Sequence, residues 1–172
     1  MVRLNMSSIP ELIHDLVQNN RIATSTEIKQ LTEYVGRAPF SSRPLKMNRW
    51  LRTELSNRGV SASSAKRPSV EIHLLKRIHL DEQWSSATTP TQFVADLHRA
   101  ITHTDCHIWT YELFGEVFAG FIAPSHIHNV PKPEKFIFVA YSADYDKIKT
   151  GYQTSGPDAI FTDDFQRLIQ HR

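Results

Sequence analysis

Apolar positions recur at helical spacing through the first 59 residues. Ile9, Leu12, Ile13 and Leu16 share one face behind Ser8 and Pro10, which suit a helix start, and Asn19-Asn20 ends the pattern. Thr24 with Glu27 reads as a capping box for a second helix, striped by Ile28, Leu31 and Val35 and stopped at Gly36. After the turn Ala38-Pro39-Phe40-Ser41-Ser42, Pro44 opens a third helix with Met47, Trp50, Leu51 and Leu55 inward, and Gly59 closes it. Its outer face carries Arg49, Arg52 and Arg58, with Lys46 at its start.

Residues 60–69 lose periodicity and are rich in Ser and Ala, the composition of a linker. Val70 to Leu80 then alternates apolar and ionisable residues densely enough to be helix or strand by pattern alone. Thr89-Pro90-Thr91 starts a helix whose apolar face is Phe93, Val94, Leu97 and Ala100 with Ile101. From His107 the period becomes two. His107 to Leu113 and Val117 to Ala123 form one hairpin around Phe114-Gly115-Glu116, and Phe136 to Tyr141 and Lys147 to Gln153 form another. The tail reads as a last helix capped by Thr162, with Asp163 and Asp164 at its positive end and Phe165, Leu168 and Ile169 facing the sheet. The expectation is an α+β protein: a small three-helix N-terminal bundle (1–59), a linker (60–69), and a domain (70–172) of helices packed on a four-stranded antiparallel meander.

Charge sharpens this division. Residues 1–70 hold 11 Lys/Arg against 5 Asp/Glu, a net +6, whereas 71–172 hold 9 against 13, a net −4. Between Arg37 and Arg67 eight cations face only Glu54, a density that suits a phosphate-binding surface. The apolar runs are far shorter than a membrane span needs, and no charged-then-apolar export signal opens the chain, so neither membrane nor export is expected. A single cysteine, Cys106, rules out an internal disulfide and points to the cytoplasm. His107 beside it would point to the opposite face of a strand, so the thiol reads as inert. His126 and His128 are two potential ligands without a partner motif, so neither metal nor cofactor is expected. No Gly-rich phosphate loop or Gly-x-Ser-x-Gly elbow occurs.

The chemically densest residues are Lys76-Arg77-Ile78-His79, preceded by His73, and Ile148-Lys149-Thr150-Gly151-Tyr152 on the last meander strand, with the helix Thr91 to Ile101 between them. In this order they resemble the superfamily of barnase, EndoU, colicin D and RelE-type ribonucleases, over residues 70–153. There an early Lys/His cluster packs over the sheet opposite a Ser/Thr and an aromatic residue. Here Ile78 separates Arg77 from His79, where colicin D has Lys directly before His, and Thr/Tyr replaces its Ser/Trp, so the resemblance implies no tRNA specificity. It implies a metal-independent endoribonuclease of toxin or defence type that forms a 2′,3′-cyclic phosphate, with an RNA substrate and an immunity or antitoxin partner.

The residue types suit that reaction, because RNA supplies its own 2′-hydroxyl nucleophile and the protein need only move protons and neutralise a phosphorane. His79 is the first candidate for base or acid and His73 the second. Lys76 or Arg77 would stabilise charge, Thr150 would hold a phosphate oxygen, and Tyr152 would stack on a base or donate a proton. A regular helix groups 73, 76 and 77, whereas a strand groups 73, 77 and 79, so a kinked segment is expected. The competing reading is a helix-turn-helix-like DNA-binding regulator, with the basic helix 44–58 (Lys46, Arg49, Arg52, Arg58) on the duplex and the α+β domain sensing a ligand or dimerising.

Overall fold

The computed structural model describes residues 8–172. Helices α1 (Ile9–Gln18), α2 (Ser25–Val35) and α5 (Pro90–Ile101) each begin at a capping box, made by Ser8 with Glu11, Thr24 with Glu27 and Thr89 with Gln92. In each, the cap side chain accepts one orphan amide while the third helical residue reaches back to another. Two further helices, α3 (Arg49–Asn57) and α4 (Ser69–Leu75), lie between them. Strands β1 (Pro44–Leu45) and β2 (Arg67–Pro68) form a two-stranded sheet. Strands β3 (His107–Leu113), β4 (Glu116–Pro124), β5 (Phe136–Ser142), β6 (Lys147–Thr154) and β7 (Phe165–Gln170) form a five-stranded antiparallel sheet in the order β6-β5-β4-β3-β7. The protein is α+β.

The meander β3 to β6 matches expectation; the tail does not. Thr162 caps no helix. Residues 165–170 pair with β3 through Trp109 opposite Gln170 and Thr110 opposite Ile169, with a bulge between Thr110 and Glu112. Six residues with both apolar stripes are ambiguous by pattern, and the unpaired amides of an open β3 edge decide in favour of strand. His171 fixes the end of this strand, because its Nδ1 accepts from Ala23 N–H at 3.0 Å and its Nε2 lies 2.7 Å from buried Thr110 Oγ1.

Each face of the sheet is covered differently. On one, Ile108, Phe121, Val139 and Ile148 pack with Ile13 and Val17 of α1, Leu31 and Val35 of α2, and Phe93 and Leu97 of α5 in one continuous core. Helices α1 and α2 therefore share the core of the sheet, and Leu12, Leu16 and Ala23 form a smaller cluster of their own with Ile9 and Ile28. Each fully buried aliphatic chain there, such as Ile13 or Leu31, contributes roughly 1.5–3 kcal/mol. On the other face Trp109, Tyr111, Phe118 and Phe138 lie under Ile160, Phe161 and Phe165 of the C-terminal segment.

The third helix begins at Arg49, five residues later than expected. Asn48 caps it by accepting Leu51 N–H at 2.8 Å, while Pro44 and Leu45 are extended and pair with Pro68 and Arg67. This shift turns Trp50 to solvent at 61% exposure, correcting its inward assignment. Met47, Leu51 and Leu55 alone face inward, against Ile72, Leu75 and Leu80. Helix α1 packs on the sheet and on α2, α2 also on α5, and α3 on the turn that follows α4.

Candidate active site

The helical path continues beyond the end of α4 at Leu75. It widens into a π-helical turn, Lys76–Leu80, closed by Asp81 N–H bonding Lys76 O at 3.0 Å, which is the irregularity expected of this segment. Leu74 anchors α4 in the sheet core, and His73 and Arg77 reach β6 from the same side. His79, two residues beyond Arg77, turns the other way. It lines a separate groove of about 460 Å³ with Arg58, Ile78, Glu82, Trp84 and Asn129. The structure therefore does not bring His79 together with Thr150 and Tyr152.

Arg77 is 7% exposed and uses three donors at once. Its Nε–H bonds Gly151 O at 2.8 Å, one terminal nitrogen meets Asp81 Oδ2 at 2.6 Å, and the other meets Thr150 Oγ1 at 3.2 Å. The guanidinium also lies 5.2 Å from the centre of the Tyr152 ring. His73 Nδ1 lies 3.4 Å from Thr150 Oγ1, and the imidazole packs edge-on against Phe40. Four of the expected site residues, His73, Arg77, Thr150 and Tyr152, thus meet at β6. Gly151 points to the opposite face, where a Cβ would come within 2.5 Å of Leu97 Cδ2, so a glycine is needed for α5 to lie this close.

Strand β6 is an edge, and the same contacts close it. Phe40 bridges to Ile148, with Ser41 N–H on Ile148 O at 2.8 Å and Ile148 N–H on Pro39 O at 2.9 Å. The Gln83 side chain accepts from Gln153 N–H at 2.9 Å and donates to Gln153 O at 3.0 Å, as a neighbouring strand would. Arg77 completes the row at Gly151. Exposed polar edges invite pairing with other chains, and here two side chains and one loop remove that template.

A bulge in β6 sets the electrostatics. Ala140 pairs with Thr150 and Tyr141 with Ile148, leaving Lys149 as the extra residue; its ammonium bonds Glu116 Oε1 at 3.1 Å and lies 4.9 Å from the Tyr145 ring centre. Burial and the positive charges of Arg77, Lys76 and Lys149 hold the His73 pKa down to about 4, so the imidazole is neutral near pH 7. Burial and Arg77 likewise lower the Lys76 ammonium. Burial raises the Tyr152 hydroxyl, partly offset by Arg77, and it stays protonated. Lys149, Glu116 and Asp81 had no sequence signal as site members. Lys149 stood inside the recognised run, but its bulge is invisible until β6 is paired.

Other candidates serve packing. His126 Nε2 lies 3.0 Å from Asp96 Oδ1, whose other oxygen accepts Trp84 Nε1–H at 3.0 Å. Among the described residues no group of three His, Cys, Asp or Glu side chains is arranged to hold a metal ion. Cys106 is 1% exposed, and burial pushes its thiol up to about 12, so it is inert. Among the described residues no helix is long and apolar enough to cross a membrane. Comparison with protein-family models, with curated proteins and with solved structures finds no match to this chain.

Proposed function

We propose that this protein is a metal-independent endoribonuclease whose active site is the His73, Lys76, Arg77, Thr150 and Tyr152 cluster, with Lys149 added. One observation carries the reading: three cations, Lys76, Arg77 and Lys149, act on one neutral imidazole beside a hydroxyl and a phenol. Such a site favours a phosphate, whose charge the cations offset while the imidazole remains unprotonated.

The chemistry balances with these groups. When His73 Nδ1–H donates to Thr150 Oγ1, the Nε2 lone pair is free to take the 2′-hydroxyl proton of RNA. The 2′-oxygen bonds phosphorus, the bond to the 5′-oxygen breaks, and the Tyr152 hydroxyl supplies the proton that the leaving oxygen needs. Lys76 and Lys149 face the developing charge, and Arg77 holds Thr150 in place. His79 has no part. The family resemblance adds toxin or defence biology and an immunity or antitoxin partner to this reading.

The test is incubation with RNA in EDTA, analysing fragment ends. Wild-type protein is expected to leave 2′,3′-cyclic phosphates, His73→Ala to slow cleavage by about 10²–10⁴-fold, and His79→Ala to cleave as wild type. No cleavage by wild type overturns the enzyme reading. Activity lost in His79→Ala but kept in His73→Ala overturns the site.

A further inference from the structure

Trp50 is one of several large apolar side chains, with Phe114 and Ile22, that the fold leaves exposed. Met47, Leu51 and Leu55 fill the underside of α3, while the indole stands 61% exposed on its first turn. The protein has three tryptophans, and the other two, Trp84 and Trp109, are 2% and 7% exposed. Cations gather near it along the chain. Arg49 adjoins it in the chain, Lys46 precedes the helix, and the β1–β2 pairing of Leu45 with Arg67 brings Lys66 and Arg67 alongside Lys46 from a segment twenty residues away. Among the described residues none of these four cations has a carboxylate within 4.0 Å, and Arg52 Nε is buried without a hydrogen-bond partner. Like charges gathered without counter-charge repel one another, an arrangement that becomes favourable when a polyanion covers it.

We infer that this surface binds single-stranded nucleic acid, with a base stacked on Trp50 and the flanking phosphates on Lys46, Arg49 and Arg67. An exposed aromatic plane among cations suits unpaired bases, since every base has a face to stack, whereas a duplex offers phosphates but hides its bases. The inference deepens the nuclease reading by naming the form of its substrate, and it depends on none of the cleavage chemistry.

The experiment uses a 2′-deoxy oligothymidylate of about 16 nucleotides, which lacks the hydroxyl that the proposed reaction requires. Titration is expected to quench tryptophan emission, with affinity falling steeply as salt rises. Trp50→Ala is expected to melt with wild type, to bind roughly ten-fold more weakly and to show no quenching, because the buried tryptophans do not respond. Binding that leaves the emission unchanged, unaltered affinity in Trp50→Ala, equal quenching by a blunt duplex, or binding to anionic lipid vesicles in place of the oligonucleotide overturns the inference. Quenching without any RNA cleavage leaves it standing and removes the nuclease reading; cleavage without quenching does the reverse.

Discussion

Two groups of cations in this protein live under opposite conditions. At β6, Arg77 and Lys149 are held by Asp81, Gly151 O, Thr150 and Glu116, and they shape the protonation of His73. Around α3, Lys46, Arg49 and Lys66 are exposed. The same residue type therefore makes different contributions. A buried guanidinium with three partners organises structure, and removing it strands the groups it satisfied. An exposed cation without a partner adds little to folding and is free to meet an external anion.

The largest contrast is expected from alanine at each site. Arg77→Ala leaves Gly151 O and Asp81 without their donor and opens the β6 edge, at a cost of about 3 kcal/mol, with loss of RNA cleavage. Arg49→Ala should stay within about 0.5 kcal/mol of wild type. Denaturant midpoints at constant slope measure both. Equal costs would erase the distinction between the regions.

This distinction explains what was legible in the chain. Helix-start residues, with a capping box at Thr24, and apolar stripes locate α1, α2 and α5, because those signals lie within a few residues of one another. The convergence of 73, 77, 150 and 152 was accessible as residue types in order, but the π turn that separates Arg77 from His79 depends on α4 settling against the sheet. For Thr162 to Gln170 and Pro44 to Trp50 the local signals failed for a shared reason: pairing with a distant strand, β3 in one case and β2 in the other, outweighed a plausible helix start. The Ser/Ala-rich stretch is irregular over residues 60–66, whereas Arg67–Pro68 form strand β2, which ties it back to residue 44, and Ser69 already begins α4.

Acid should act on the buried group. The His73 pKa in the folded protein is about 4, below its ordinary 6.5, so its contribution to stability is complete above about pH 6.5 and fades as pH falls toward 4, when the unfolded chain takes up a proton that the folded one refuses. After allowance for partial exposure this amounts to about 2 kcal/mol, and His171, also lowered by burial, acts in the same direction. Glu27, held down to about 2 by Arg21, enters only below its ordinary 4.5. Denaturant titrations at pH 7 and pH 4.5 should show wild type losing more stability than His73→Gln. Identical losses would mean that His73 is not shielded as its surroundings imply.

The smallest effect is the most discriminating for the exposed group. Arg49 is the first residue of α3, where the helix dipole is positive and an acidic side chain is the favourable choice. It also stands among like charges. Arg49→Glu removes that repulsion and complements the helix end, so it should raise stability by about 0.5 kcal/mol in low salt, with the gain shrinking as salt screens both terms. Binding of the oligonucleotide should fall in the same variant. A cation retained for folding would behave in the opposite way, costing stability on reversal. A stabilising reversal that weakens binding identifies a charge kept at the expense of the fold for a ligand outside it.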